Sequence, residues 1–558
     1  MSTFPTDIEI ASKAVPRPII EIAQKLGLSA EDIDLYGDDK AKVHLDTLVK
    51  KRRGAGKLVL VSAITPTPAG AGKTTTTIGL TQGLARLGKS VSCAVREPSL
   101  GPIFGMKGGA AGGGYSQVIP MEDINLHFTG DMHAITAANN LLAAALDNHL
   151  HWGNPSRLDA RTVSFKRVVD MNDRSLRDII IGLGGRTQGV PRESGFDITA
   201  ASEIMAILSL ATDMVDLKKR IDRIFIGLTF DREAVTAKEM GVTGAMAMLL
   251  KDAIKPNLVQ TLEGNPAFVH CGPFANIAHG CNSLLATKMA IAFSDWAITE
   301  AGFGFDLGAE KFFDIKCQVG KLCPSLVVLV VTCRALKMHG GVSKGDLQTP
   351  NEDAVAAGLP NMEKHIENIG KFGLPAVICV NRFMSDTDAE LDIVVQRCCE
   401  LGVPVAVGDG FVNGGSGMEE LASLVVENAK DCIGTFKPLY DWNLSMKEKI
   451  ETVAREIYGA QHIDYTSLAK KDLRMIKRLG YEKLPVCIAK TQKSLSDNPR
   501  LLGRPKDFVV TVREIEVSAG AGYLVPITGS IMRMPGLPKV PAAVKMDVDD
   551  EDNVTGLF

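Results

Sequence analysis

A buried strand, a glycine-rich loop and a helix follow one another near residue 60, and this succession constrains the fold more than any other feature of the sequence. The run Leu58–Ile64 (LVLVSAI) is short, apolar and β-branched, which predicts a buried strand. TPTPAGAGKT follows it, and Thr75–Leu87 then has the apolar spacing of a helix. This order is typical of the start of an α/β domain built on a parallel sheet.

Further strand-like runs recur along the chain, with helical segments between several of them. The predicted strands are Ser90–Val95, Asp178–Gly182, Arg223–Thr229, Leu326–Thr332, Ala376–Asn381 and Val403–Val407, and the predicted helices include Ile19–Leu26, Ser202–Ala211 and Glu363–Lys371. The alternation predicts a doubly wound sheet with insertions. The glycine-dense stretch Gly101–Tyr115 is predicted to be a loop, because glycine destabilises helix and strand interiors. A chain of 558 residues exceeds the size of one core, which predicts two to four domains.

The loop after the first strand is similar to the phosphate-binding pattern G-x-x-x-x-G-K-[ST], with a threonine in place of the first glycine. Backbone N–H groups of such a loop hold phosphates, and its lysine reaches the β- and γ-oxygens. The residues predicted to bind a nucleoside triphosphate are Thr67, Pro68, Ala69, Gly70, Ala71, Gly72, Lys73 and Thr74. Thr74 is also a candidate ligand of Mg²⁺. The alternative is a glycine-rich turn that binds no ligand.

Polar residues follow other predicted strands, at the edge where open α/β sheets bind ligands. Arg96 is a candidate for neutralising an anionic substrate, although its position alone favours a surface ion pair. Glu97 and Asp131 are candidate cation ligands or helix caps. Asn381 and Phe383 belong to an N-R-F segment that is weakly similar to a base-reading motif.

Composition excludes some classes of protein and favours a cytoplasmic one. The net charge of −3 argues against a general nucleic-acid binder. We find neither a signal peptide nor an apolar stretch of the roughly 18–20 residues that span a membrane. The 11 cysteines include no C-x-x-C pair, which favours reduced and mostly buried thiols.

Longer blocks of the sequence resemble the formate–tetrahydrofolate ligases. They include REPSLGPIFGMKGGAAGGGYSQVIPMEDINLHFTGDMHAITAANN, TEAGFGFDLGAEKFFDIKC, CRALKMHGG and MPGLPKVPAA, and the resemblance runs from about Asp7 to Phe558. Enzymes of this family join formate to N10 of tetrahydrofolate, cleave ATP to ADP and phosphate, form formyl phosphate on the way, and serve one-carbon metabolism. The resemblance implies Mg²⁺, a monovalent cation (K⁺ or NH₄⁺), a homotetramer, and tetrahydrofolate with or without a polyglutamate tail.

The resemblance also implies a division of the chain and of its site residues. A P-loop NTPase-like domain is expected over 1–365, a folate-binding α/β domain over 366–465 and a C-terminal α/β domain over 466–558. The resemblance assigns the developing charge to Lys73 and Arg96, the monovalent cation to Glu97 and Asp131, the pterin to Phe383 and Phe411, and further substrate binding to Phe303 and Asn381.

Several positions depart from the pattern of the family. Ala71 replaces a glutamate, Phe305 an alanine, Phe411 a tryptophan, Lys493 a tyrosine and Ser530 an aspartate. We expect retained catalysis, since the residues assigned to charge and cation binding are all present. Two alternatives stay open: a weakened or inactive paralogue that still binds its ligands, and a regulatory ATPase that uses the same loop.

Overall fold

The structure is a computed structural model and describes residues 4–52, 54–67, 70–106, 111–429, 436–529 and 531–557. Its largest element is a sheet of 12 strands. In chain order these strands are β1 (Ile33–Leu35), β2 (Ala41–Val43), β3 (Lys57–Ala63), β4 (Val91–Val95), β5 (Gly112–Gly113), β6 (Ser116–Ile119), β7 (Asn257–Thr261), β8 (Pro266–Val269), β9 (Trp296–Glu300), β10 (Pro324–Val331), β11 (Ala376–Asn381) and β12 (Val405–Gly408).

The sheet is mainly parallel. Its order is β1-β2-β7-β8-β4-β9-β3-β10-β11-β12, with β6 paired to β7 and β5 paired to β6. Every neighbouring pair from β8 to β12 is parallel, and the pairs at the other end are antiparallel. The predicted α/β class is therefore confirmed, and β3 lies inside the parallel part, between β9 and β10.

Helices cover both faces of this sheet, as a doubly wound arrangement requires. Leu58 and Leu60 of β3 belong to the apolar core on one face, whereas Val59 and Val61 pack on the other face with the helix that follows the strand. In chain order the helices are α1 (Asp7–Ser12), α2 (Ile19–Lys25), α3 (Thr47–Lys50), α4 (Lys73–Arg86), α5 (Leu100–Gly105), α6 (Met121–Asn125), α7 (Asp131–His151), α8 (Glu203–Leu210), α9 (Met214–Asp222), α10 (Thr243–Leu249), α11 (Leu284–Phe293), α12 (Gln318–Gly320), α13 (Cys333–His339), α14 (Glu352–Lys371), α15 (Asp388–Glu400), α16 (Gly410–Asn413), α17 (Glu419–Asn428), α18 (Met446–Val453) and α19 (Ser467–Arg478).

The remaining strands form small sheets outside the main one. A three-stranded sheet near the C-terminus consists of His462–Tyr465, Val509–Ser518 and Tyr523–Thr528. Two-stranded sheets pair Arg167–Val169 with Phe196–Ile198, Ile179–Ile181 with Arg192–Ser194, Phe225–Leu228 with Ala234–Thr236, and Asp547–Val548 with Val554–Thr555. The strands predicted at 178–182 and 223–229 therefore exist, but they belong to the insertion between β6 and β7.

The prediction of a loop over Gly101–Tyr115 is partly wrong, because α5 and the short strand β5 lie inside it. The glycines permit close contacts there. A Cβ atom on Gly101 would lie 2.4 Å from Oδ1 of Asn172, and one on Gly105 would lie 2.6 Å from its Nδ2. Gly101 and Gly105 are therefore explained by the close packing of α5 against Asn172, whereas the sequence suggested that they belong to a loop. Residues 107–110 lie outside the described residues.

Three other expectations can be compared with the fold. The predicted domain borders stay predictions; α14 crosses residue 365, and β11 and β12 continue the main sheet beyond it. The expectation of reduced cysteines is wrong for Cys323, which is disulfide-bonded, whereas the other nine cysteines among the described residues are free. Among the described helices, none is both long enough and apolar enough to cross a membrane.

Phe305 is a core residue, and truncating it is expected to cost stability. Its side chain is fully buried, and its ring lies 5.9 Å from that of Phe313 and 6.0 Å from that of Phe372, measured between centroids. We expect Phe305→Ala to lower the free energy of unfolding by about 3–5 kcal/mol, because it leaves a cavity. Urea denaturation measures the change, with the exposed Phe230→Ala as control. An equal midpoint for Phe305→Ala and the wild type would contradict this role.

Candidate active site

Most of the residues selected from the sequence, together with Glu300, lie at one edge of the sheet, where its parallel strands end. The glycine loop follows β3, Arg96 follows β4, Glu300 ends β9, Asn381 ends β11 and Phe411 follows β12. The carboxyl ends of parallel strands are where open α/β sheets bind ligands. The order of the strands therefore brings segments that are far apart in the sequence to one edge.

The glycine loop has the backbone of an anion-binding turn. Gly70 and Gly72 have φ angles of +90° and +72°, and Gly72 is the residue that precedes α4. N–H of Gly70 donates to the carbonyl of Thr67 at 3.0 Å, and Lys73 begins the helix. The first N–H groups of a helix lack partners within it and attract anions. Pro68 and Ala69, also predicted to bind nucleotide, lie outside the described residues.

Asn381 packs directly on this loop. Its Nδ2 donates to the carbonyl of Ala71 at 3.4 Å, and a Cβ atom on Gly72 would lie 2.2 Å from the same nitrogen. Gly72 is thus required both by its positive φ and by the approach of Asn381. The structure therefore makes Asn381 a support of the loop, whereas its assignment to substrate binding stays a prediction.

Three side chains that the sequence did not single out hold the entry to the loop at Thr65. Nε2 of His339 donates to the carbonyl of Thr65 at 2.9 Å, Nε2 of His365 accepts from its N–H at 3.1 Å, and Nδ2 of Asn361 donates to its Oγ1 at 3.2 Å. Burial lowers the pKa of His365 to about 4, so this ring is neutral and accepts at Nε2 near pH 7. Only tertiary packing brings α13 and α14 to Thr65, so no local signal predicts these contacts.

Glu300 links two of the predicted residues and was itself missed. Oγ1 of Thr74 donates to Oε2 of Glu300 at 2.9 Å, and Nε of Arg96 lies 3.5 Å from Oε1 of the same carboxylate. The Glu300 side chain is 3% exposed. A hydroxyl and a carboxylate are oxygen ligands of the kind that Mg²⁺ binds beside a nucleotide. The available signal was the acidic residue that closely follows the apolar run Trp296–Ile298.

Glu97 and Asp131 lie in a second, buried charged cluster with Lys42. Nζ of Lys42 lies 2.8 Å from Oδ1 of Asp131, and Nδ2 of Asn257 donates to Oδ2 at 2.8 Å. Oε2 of Glu97 has no hydrogen-bond partner in the part of the chain that the structure describes. Burial, and then the charge of Asp131, raises the pKa of Glu97 well above its ordinary value. The residues predicted to bind cations therefore lie in two separate clusters. Thr74 contacts Glu300, whereas Glu97 and Asp131 lie near Lys42.

Phe383 and Phe411 follow neighbouring strands and are both partly exposed. Asn381 at the end of β11 lies opposite Gly408 at the end of β12. The guanidinium carbon of Arg334 lies 4.2 Å from the centroid of the Phe383 ring, a cation–π contact. Two partly exposed rings at adjacent strand ends are suited to binding a flat aromatic ligand.

The other predicted positions differ in their surroundings. Phe303 is partly exposed and has a φ of +57°, a strained conformation for a residue other than glycine and one that occurs often at functional sites. Ala71 is buried, Lys493 is exposed, and Ser530 lies outside the described residues.

The family comparison agrees with the resemblance found in the sequence. The family model described as formate–tetrahydrofolate ligase matches residues 5–558, which is essentially the whole chain. This edge of the sheet carries a glycine loop at a helix N-terminus and the charged side chains of Arg96 and Glu300, and a reaction of this kind requires such groups. The chain belongs to the formate–tetrahydrofolate ligase family and is an ATP-dependent carbon–nitrogen ligase that acts on formate and tetrahydrofolate.

Proposed function

We propose that the reaction proceeds through formyl phosphate, formed at the loop Thr67–Thr74. An oxygen of formate attacks the γ-phosphorus of ATP and ADP leaves. N10 of tetrahydrofolate then attacks the formyl carbon, the carbon–oxygen bond to phosphate breaks, and N10 loses its proton. Phosphorylation is needed because the carboxylate of formate resists attack by an amine, whereas phosphate is a good leaving group.

The observation that carries this proposal is the contact from Thr74 through Glu300 to Arg96, beside the anion-binding turn. Lys73, at the start of α4, neutralises the phosphoryl oxygens. Arg96 stabilises the oxyanion of the tetrahedral intermediate. Thr74 and Glu300 fit the oxygen ligands of Mg²⁺, which offsets the charge of the phosphates when it is bound.

The transfer of oxygen tests the intermediate. Formate labelled with oxygen-18 is incubated with the enzyme, ATP and tetrahydrofolate, and the released phosphate is analysed by mass spectrometry. Because one formate oxygen stays on phosphorus when the carbon–oxygen bond breaks, formyl phosphate requires label in phosphate in proportion to product. Unlabelled phosphate in the presence of product would rule the intermediate out.

We also propose that Glu97 and Asp131 bind the monovalent cation, K⁺ or NH₄⁺. Two observations support this: Oε2 of Glu97 is buried without a hydrogen-bond partner among the described residues, and the neighbouring Lys42, whose charge also acts on Glu97, forms its ion pair with Asp131. A buried carboxylate needs such a partner to stay ionised.

Glu97→Gln is therefore expected to remove activation by potassium. The wild-type rate and thermal midpoint should both rise when K⁺ replaces tetramethylammonium at constant ionic strength, and both should be indifferent to this exchange in the variant. The exposed Glu427→Gln is the control and should behave like the wild type. A Glu97→Gln enzyme that K⁺ still activates to the same degree would place the cation elsewhere.

Phe383 and Phe411 are proposed to bind the pterin of tetrahydrofolate between them, since both are partly exposed and follow adjacent strands. Both lie within 366–465, in line with a folate-binding role for that part of the chain. The P-loop NTPase-like class, the homotetramer, the role in one-carbon metabolism and the cytoplasmic location remain proposals that rest on the resemblance. The family match over the whole chain does not favour a regulatory ATPase.

A further inference from the structure

The N-terminal segment places an aromatic ring on Phe411. The rings of Phe4 and Phe411 are stacked, with centroids 5.3 Å apart and an angle of 29° between their planes. Tyr115 meets Phe4 edge-on, with centroids 6.3 Å apart. Phe4 is therefore part of an aromatic cluster, which we define as Phe4, Tyr115 and Phe411, at the carboxyl end of β12.

The segment that carries Phe4 is fixed to the body of the protein. Oδ1 of Asp7 accepts from N–H of Gly114 at 2.8 Å, and Nε2 of Gln117 donates to the carbonyl of Asp7 at 3.0 Å. Thr6 caps α1 in a reciprocal capping box with Glu9. Since α1 begins only three residues after Phe4, these contacts hold the ring in place, which argues against a segment that swings away.

Backbone contacts also hold Phe411 in place. Its carbonyl accepts from N–H of Tyr115 at 2.8 Å, and a Cβ atom on Gly114 would lie 2.0 Å from that carbonyl oxygen. A Cβ atom on Gly113 would lie 3.2 Å from Cε2 of the ring. In spite of these contacts Phe411 remains partly exposed. The ring is thus supported by Phe4 and the glycines while part of its surface stays open to a ligand.

We propose that Phe4 is a positioning residue for tetrahydrofolate, which acts by backing the ring of Phe411 against which the pterin stacks. This inference rests on the proposed role of Phe411. A ring that is already packed on one face loses little freedom when a ligand stacks on it, so its support favours binding. The ring contacts of Phe4 are with Tyr115 and Phe411, which leads us to expect an effect on folate rather than on ATP or formate.

Phe4→Ala tests the inference. We expect KM for tetrahydrofolate to rise about 3- to 10-fold, the range that one aromatic contact supports, while kcat and the KM values for ATP and formate change less than twofold. Phe4→Tyr should restore the wild-type KM, because it keeps the ring. The exposed Val15→Ala, in the same terminal region, is the control and should change nothing.

Phe411→Ala separates this inference from the proposed folate site. If Phe411→Ala raises KM for tetrahydrofolate and Phe4→Ala does not, the role of Phe4 is wrong and the folate site stands. If neither variant changes this KM in folded protein, the proposed folate site fails and the inference fails with it. A lower KM in Phe4→Ala would mean that Phe4 obstructs the pterin, and a parallel loss in kcat and every KM would mean general damage; both results contradict a positioning role.

Discussion

Lys73→Ala is expected to lower kcat by at least about 10³-fold, the upper end of the loss from removing one charge-stabilising donor. Lys73 begins α4, directly after the positive-φ Gly72, so its side chain is attached at the helix N-terminus where we propose that the loop binds phosphate. Both chemical steps build charge on phosphoryl or formyl oxygens. Loss of the ammonium group therefore raises both barriers, whereas alanine keeps the backbone turn.

The fold of Lys73→Ala should survive, because the lysine side chain is partly exposed and alanine is the best helix former. Release of ADP and formation of product measure kcat, and urea denaturation measures stability. Lys89→Ala, at an exposed position after the same helix, is the matched control and should keep the wild-type kcat. Wild-type turnover by folded Lys73→Ala would show that the loop has no catalytic role.

Arg96→Ala is expected to lower kcat by about 10²- to 10³-fold, because the second step loses the positive charge that stabilises its oxyanion. Nε of Arg96 lies 3.5 Å from Oε1 of Glu300, whose other oxygen accepts from Thr74. The Arg96 side chain is 20% exposed, and Arg96 directly follows β4 at the edge where we propose that substrate binds. In the proposed mechanism it has two functions: it supplies positive charge to the oxyanion, and it offsets the buried carboxylate of Glu300.

A variant that keeps the positive charge is needed to separate the effect on catalysis from the effect on stability. Arg96→Ala leaves Glu300 buried without this cation, so its stability should also fall. Arg96→Lys retains the charge but loses the planar fork of donors, so we expect near wild-type stability with kcat reduced about 10-fold or more. Arg157→Ala, which breaks an exposed pair with Asp231, is the control. Full activity in both Arg96 variants would exclude Arg96 from the reaction.

The sequence predicts the centre of the fold well because its signals there are local. Leu58–Ile64 and Leu326–Thr332 are continuous apolar runs, and such runs are expected of strands buried on both faces. β9 was missed although it lies between β4 and β3. Its five residues end in the polar Thr299 and Glu300, so the apolar run is too short to predict a strand. The contact of Glu300 with Thr74 is visible only in the folded structure.

The candidate site could be predicted only where a motif is contiguous. The loop and Arg96 follow strands directly and were found from the sequence. Glu300 and the contacts of His339 and His365 with Thr65 depend on packing between distant segments, which no local pattern encodes. The contact of Phe4 with Phe411 likewise joins two segments that are far apart in the sequence.

Formation of 10-formyltetrahydrofolate tests the central claim most directly. The purified chain is incubated with ATP, Mg²⁺, K⁺, formate and tetrahydrofolate, and acid then converts product to the methenyl form, which absorbs in the near ultraviolet. We predict absorbance that requires every substrate, matches ADP in amount and is lost in Lys73→Ala. ADP that forms without folate, or absorbance that never appears with folded protein, would contradict the account.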